Sequence, residues 1–284
     1  DLQEYAPERM SGGSAANTII AAQYFGASTY YSCKVADDET GGFFLSDLQA
    51  AGVGSNGEHT SGTGKSGRCL VLVTPDAERS MNTFLGISSS LSVGEIDERA
   101  LSNARYFYVE GYLSSSPNSR DAAIACRELA ERSGVKTAVS LSDPSMVEFF
   151  RDDMEKILGN GVHHLFCNEE EALTWAKTDR LDIALKELKD IAQALNITLG
   201  SRGSLAVEQH TEHQAPGYPV TAVDTNGAGD IYAGASLYGW CAGMGAAEAA
   251  AFGNFAAASL VQSYGARFRQ ATDYQAVLKQ FKRD

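Results

Sequence analysis

The sequence lacks the means to build a disulfide frame and has little positive charge to offer a polyanion. Its five cysteines, Cys33, Cys69, Cys126, Cys167 and Cys241, are odd in number, scattered and without CxxC spacing. That pattern excludes a stapled secreted fold and a cysteine-based zinc site, and fits reduced core thiols in a cytoplasmic protein. Lys and Arg total 23 against 36 Asp and Glu, a formal net charge of −13. The overall field therefore attracts neither nucleic acid nor an anionic membrane surface. No apolar run approaches the roughly 18 residues needed to span a bilayer, and no signal-peptide pattern is visible. Long-period repeats, linkers and low-complexity tracts are absent too, the alanine-rich stretch 246–258 reading as a tightly packed helix.

What is present suits a soluble enzyme. With 284 residues and 44% hydrophobic content, the chain can bury one large core, and a single domain over 1–284 is expected. Small and apolar residues from Ser14 to Tyr24 recur at helical spacing, with Gly26 as a stop. A strand at 29–35 follows, then a helix opened by Gly41 and Gly42 and ended by Gly52. Residues 54–85 are glycine-rich, with extended runs at 69–74 and 80–85 around a turn at Pro75 and Asp76, and read as a β-hairpin lid. From residue 105 strands and helices alternate: strands at 106–110, 136–141, 163–167, 197–199 and 205–208, and helices at 121–132, 146–158, 169–177 and 183–195. Such alternation implies a mostly parallel sheet with helices on both faces. The remainder is helical at 228–242, 247–263 and 274–282. No first strand is visible before residue 11, and further sequence is expected ahead of Asp1.

The chemistry concentrates in Asp224-Thr225-Asn226-Gly227-Ala228-Gly229-Asp230, between an extended segment and a helix. Small residues at 227–229 let an oxyanion approach the backbone, and the free N–H groups of a helix's first turn point at it. A migrating γ-phosphoryl group needs such a cradle. Asp230 shares that first turn, where the helix dipole favours its ionised form and it can accept the proton of an attacking hydroxyl. An isolated Asp there would only cap the helix; three preceding small residues and a second Asp six positions upstream favour the catalytic reading. Gly64-Lys65-Ser66 imitates a P-loop tail, but His59 replaces the required glycine and the context is a hairpin. Neighbouring His163 and His164 on one strand face opposite ways and make poor joint metal ligands.

The DTNGAGD heptapeptide resembles the C-terminal signature of the ribokinase-like, PfkB-type carbohydrate and nucleoside kinases. Gly12-Gly13-Ser14-Ala15-Ala16-Asn17-Thr18 resembles that family's GG…N motif, Asn168-Glu169-Glu170-Glu171 its NxxE motif, and Thr198-Leu199-Gly200 with Gly203 its TLGxxG segment. The resemblance implies a ribokinase-like three-layer α/β/α fold with a small β lid and an ATP-dependent kinase. It implies Asp230 as base and the amides of Gly227, Ala228 and Gly229 as anion hole. Gly12, Gly13 and Asn17 would face substrate hydroxyls, and Thr198, Gly200, Gly203, Thr225, Asn168 and Asn254 would lie along the nucleotide. Glu171 with Asn168 would organise hydrated Mg²⁺, and K⁺ activation is allowed for. Asn168 and Glu171 also have the spacing of a helix cap, which is compatible with the metal role. Gly12 and Gly13 could form only a turn, and Asn17 could be a buried helix residue.

The segments 109–113 (VEGYL), 140–144 (SLSDP) and 166–172 (FCNEEEA) are most similar to adenosine kinases and related bacterial sugar kinases. Adenosine is the leading substrate implied. A pentose or hexose kinase is the same-class alternative, and a non-catalytic nucleotide- or sugar-binding regulator the other. Tyr112 offers a ring for stacking a purine or is a core tyrosine at a strand end. The family's early sugar-binding Asp has no placed counterpart, and the glycine-rich stretch at 54–70 shows no base clamp. Lid strands of this family pair between subunits, so a homodimer is expected.

Overall fold

The computed structural model describes residues 9–57, 61–73, 79–209 and 211–283. Helix α1 (Ser14–Phe25) starts at Gly13 and ends at Gly26, whose φ of 119° only glycine adopts readily. Two short strands follow, β1 (Tyr30–Tyr31) and β2 (Val35–Ala36). The continuous strand expected over 29–35 is interrupted because Asn56 takes the ladder's place: its amide accepts from the Cys33 N–H and donates to the Cys33 carbonyl, each at 3.0 Å. Helix α2 (Glu39–Ala50) is capped by Asp38, and β3 (Gly54–Ser55) and β4 (Ser61–Gly62) pair in parallel with β1 and β2.

The antiparallel hairpin proper is β5 (Arg68–Val73) with β6 (Arg79–Phe84), shorter than the 54–85 expectation. Its turn at Pro75 and Asp76 lies outside the described residues. Ser66 of the P-loop imitation is no phosphate ligand by position: its N–H and hydroxyl both bond the Asp38 carboxylate. Cys69 is exposed on the hairpin, contrary to the expected core thiol, whereas burial pushes Cys33 up to about 12 and Cys126 up to about 11.

A six-stranded sheet organises the rest. After α3 (Glu98–Ser102) it is built from β7 (Tyr106–Glu110), α4 (Pro117–Arg132), β8 (Lys136–Ser140), α5 (Pro144–Leu158), β9 (Val162–Asn168), α6 (Glu169–Ala176), α7 (Leu181–Leu188) and β10 (Ala192–Thr198). These four strands are mutually parallel; β11 (Ser204–Glu208) and β12 (Thr211–Ala215) close one edge antiparallel. The helix expected over 183–195 stops at Leu188, and its last residues belong to β10 instead. A short apolar run buried on both faces carries no period that separates helix from strand. Strand β12, Thr-Glu-His-Gln-Ala, escaped notice because an exposed edge strand need not be apolar.

Alternating strand residues feed two layers. Val109, Val139, Leu165, Leu195 and Ile197 pack on α4 to α7, while Ala138 and Phe166 meet the opposite layer. That layer holds α1, α8 (Ala228–Cys241), α9 (Ala246–Leu260) and α10 (Ala271–Phe281). Helix α8 is buried without a break from Ile231 to Leu237, as a helix between sheet and outer helices must be. His164 lies on this side too, stacked on Trp240 at 3.9 Å and pushed down to about 3 by burial. No described helix is long and apolar enough to cross a membrane.

Helices α1 and α8 touch backbone to backbone. A Cβ at Gly234 would sit 2.5 Å from the Thr18 carbonyl oxygen and 2.9 Å from Ala21 Cβ. Gly234→Val is therefore expected to cost about 1 to 3 kcal/mol, read from the urea midpoint; an unchanged midpoint would disprove this close approach.

Candidate active site

The C-terminal ends of the parallel strands bring Glu110, Ser140, Asn168 and Thr198 into one row. Glu110 is paired with Ser140 across β7 and β8, and Asn168 with Thr198 across β9 and β10. Ligand crevices of open α/β sheets lie at this edge. Here α1 and α8 start side by side. Because they run the same way from the Gly234 contact, both partial positive ends point at one region.

Asp230 stands in the first turn of α8 and accepts two hydrogen bonds from α1, from Ser14 Oγ and Asn17 Nδ2, each at 2.8 Å. Asn17 is only 5% exposed, and its Oδ1 has no partner. A buried acceptor left open beside a carboxylate suits a ligand hydroxyl. The preceding loop is fixed by Asp224, whose carboxylate accepts from the N–H groups of Asn226 at 2.8 Å and Gly265 at 2.9 Å. Thr225 is exposed, and its carbonyl accepts from Ala228 N–H at 3.3 Å. Gly227 has φ 76°, and a Cβ there would collide with the Ala266 carbonyl, whereas a Cβ on Gly229 would meet nothing. Gly229 thus leaves its backbone open to solvent at the helix start, and Gly227 makes the turn.

Gly12 and Gly13 also face open space, Gly13 with φ 102°. They are held from behind by buried Arg267, which donates to the Ser11 carbonyl at 2.9 Å and to Asp47 at 2.7 Å. Gly200 has φ 61° and is open; Gly203 has φ 96°, and a Cβ there would strike the Ala215 carbonyl, so it serves the tight turn between β10 and β11. Asn254 is buried, and its amide donates to the carbonyls of Ala215 and Pro216 at 3.0 and 3.2 Å, tying α9 to the chain after β12.

Asn168 and Glu171 form a reciprocal cap on α6. Asn168 Oδ1 accepts from Glu171 N–H, and the Glu171 carboxylate accepts from both the Asn168 N–H and side-chain amide. Glu171 is 4% exposed, and burial, with Asp143 and Glu170 adding, pushes it up to about 7. A desolvated carboxyl facing further acids is one a hard cation would stabilise. Among the described residues no cluster of three His, Cys, Asp or Glu could cage a metal alone. This set suits Mg²⁺ that keeps its waters and phosphate ligands.

The sequence alone assigns no role to Ser14, Glu110 or Asp143. Asp143 caps α5 through the Ser145 N–H and acts on Glu171. Glu110 is half-buried and accepts from the Ala15 N–H at 2.5 Å, and desolvation, with Asp230 nearby, pushes it up to about 7. Their only sequence signals were positions in GGSAANT, VEGYL and SLSDP. Tyr112 is 38% exposed, and its hydroxyl is pushed up by burial and by the charges of Asp143, Glu110, Asp230 and Glu171.

A parallel sheet whose strand ends carry Glu110, Ser140, Asn168 and Thr198, beside two helix starts that can cradle phosphate, forms an α/β site suited to phosphoryl transfer. The family is shown by comparison: the model of the pfkB family of carbohydrate kinases matches residues 3–273, and the chain belongs to that family and is an ATP-dependent kinase. It is 28% identical over 299 residues to adenosine kinase 1 of Arabidopsis thaliana, spanning 96% of this chain and 84% of that protein. It is 29% identical over 265 residues to the ATP-dependent ribose-1-phosphate kinase of Halopiger xanaduensis, spanning 92% and 84%. The crystal structure of adenosine kinase from Sinorhizobium meliloti superimposes with a TM-score of 0.90 at 32% identity, over 96% of this chain and 85% of that one. The same fold occurs in a ribokinase-like protein of E. coli solved with ATP and Mg²⁺, with a TM-score of 0.84 at 20% identity, over 97% and 92%.

The two raised glutamates fix a pH dependence. Their folded values near 7 lie above the ordinary 4.5, so the native state holds more protons than the unfolded chain between those limits. Stability then falls as pH rises through that window. Metal-free protein is expected to melt at lower temperature at pH 8 than at pH 6, and Glu171→Gln to narrow the gap; calorimetric scans in which the gap is unchanged would contradict this.

Proposed function

We propose that this kinase transfers the γ-phosphoryl group of ATP to a primary hydroxyl of a ribose-bearing nucleoside, adenosine giving AMP, with Asp230 as general base. The carrying observation is the Asp230 carboxylate, held by Ser14 and Asn17 between two helix starts. Asp230 takes the proton of the attacking hydroxyl, while the amides of Gly227, Ala228 and Gly229 hold charge on the migrating group. Asn17, through its free Oδ1, and the backbone at Gly12 and Gly13 orient the acceptor. Thr198, Gly200, Gly203, Thr225 and Asn254 line the nucleotide side. Glu171 and Asn168 hold hydrated Mg²⁺, which when bound neutralises phosphate charge. Tyr112 stacks on the base.

The β5–β6 hairpin closes over the acceptor and excludes water. Its exposed Leu70, Met81 and Phe84 are then covered by substrate and by the hairpin of a second copy. A monovalent cation such as K⁺ supports turnover. The similarity to sugar kinases, ribose-1-phosphate kinase among them, favours a phosphorylated or free pentose as the second reading.

Asp230→Asn is expected to lower kcat at least about 10²-fold with ATP affinity nearly unchanged; more than a tenth of wild-type kcat would remove the base role. ADP release with adenosine, ribose and ribose 1-phosphate decides the acceptor. Turnover of ribose equal to that of adenosine would refute the nucleoside reading.

A further inference from the structure

Glu110 is a half-buried carboxyl beside Asp230 that the phosphoryl-transfer chemistry above does not use. It accepts from the Ala15 N–H at 2.5 Å, and the adjoining Ser14 hydroxyl lies close enough to lower its pKa. Ser14 Oγ also donates to Asp230 Oδ1 at 2.8 Å. One hydroxyl carries one proton, so it can donate to only one of two carboxylates. With both ionised, two like charges would lie close together, and only one of them could take the Ser14 proton.

The partners decide where the proton sits. Asp230 receives two side-chain donors at a helix start. The groups acting on Glu110 are the Ala15 amide, Ser14 and Asp230. In turn its charge acts on three hydroxyls, those of Tyr31 on β1, Tyr108 on its own strand and Tyr112 beyond it. None of these is a cation.

We propose that Glu110 is a positioning residue for the base: in its protonated form it donates to Ser14 Oγ and thereby commits the Ser14 proton to Asp230. The chain runs Glu110 carboxyl to Ser14 hydroxyl to Asp230 carboxylate, and no proton is gained or lost along it. When Glu110 ionises it competes for the Ser14 proton and sets a second negative charge near the incoming γ-phosphate. Its upward shift to about 7 puts that change within the working range. The proposal rests on the base role of Asp230.

Glu110→Gln tests it, because a glutamine can accept from Ala15 N–H and donate to Ser14, mimicking only the protonated form. With ATP and the best acceptor of the panel, wild-type kcat should fall about tenfold on the alkaline side, while Glu110→Gln stays within about threefold of wild type at pH 6 and flat above it. Ser14→Ala, which leaves both carboxyls but breaks the link, should lower kcat at all pH values and flatten the same limb. Infrared titration without substrate, made in a Glu171→Gln background to remove the other raised carboxyl, should show a protonated-carboxyl band that vanishes near neutrality and is missing once Glu110→Gln is added. Superimposable wild-type and Glu110→Gln pH profiles, an undiminished limb in Ser14→Ala, or no such band would each overturn the proposal. An active Asp230→Asn enzyme would instead overturn the base role, with the infrared titration still reading Glu110 independently.

Discussion

The close, same-direction packing of α1 on α8 is the contact on which the site depends. Gly234 lets the helices meet over the Thr18 carbonyl, and one turn nearer the helix starts this brings Asn17 and Ser14 to 2.8 Å from Asp230. Two helix starts then aim their free N–H groups at one place. A larger residue at 234 would splay them, and carboxylate, donors and amides would no longer share a cavity edge.

That arrangement concentrates charge of one sign. Asp230, Glu110, Asp143 and Glu171 all act on Tyr112, and two of the four are pushed up to about 7 by burial. Such a cluster is costly without a cation or protons to offset it. The net acidity of the chain repeats the theme, so phosphates must be welcomed locally, by backbone amides and a hydrated divalent ion.

Much of the frame was legible in the chain. Strands over 106–110 and 163–167 and a helix from 228 follow from apolar runs and punctuation, and lie within a residue or two of their observed bounds. The misses have physical causes. Residues 192–195 carry no period that separates a helix end from a doubly buried strand, and β12 is a polar edge. The 29–35 strand was broken by a distant side chain, Asn56, that no local pattern announces.

The sequence by itself determined the chemistry on offer: the small-residue turn before Asp230, the glycine pair before α1, and the capping pair Asn168 and Glu171, because turns, caps and free amides are set by neighbouring residues. Only the tertiary structure decided which of these groups face one another. Glu110 and Ser14 gain a role from the meeting of β7, α1 and α8, and burial there shifts a carboxyl that would be ordinary in water. Desolvation and like-charge proximity depend on distances through space, which residue order does not carry.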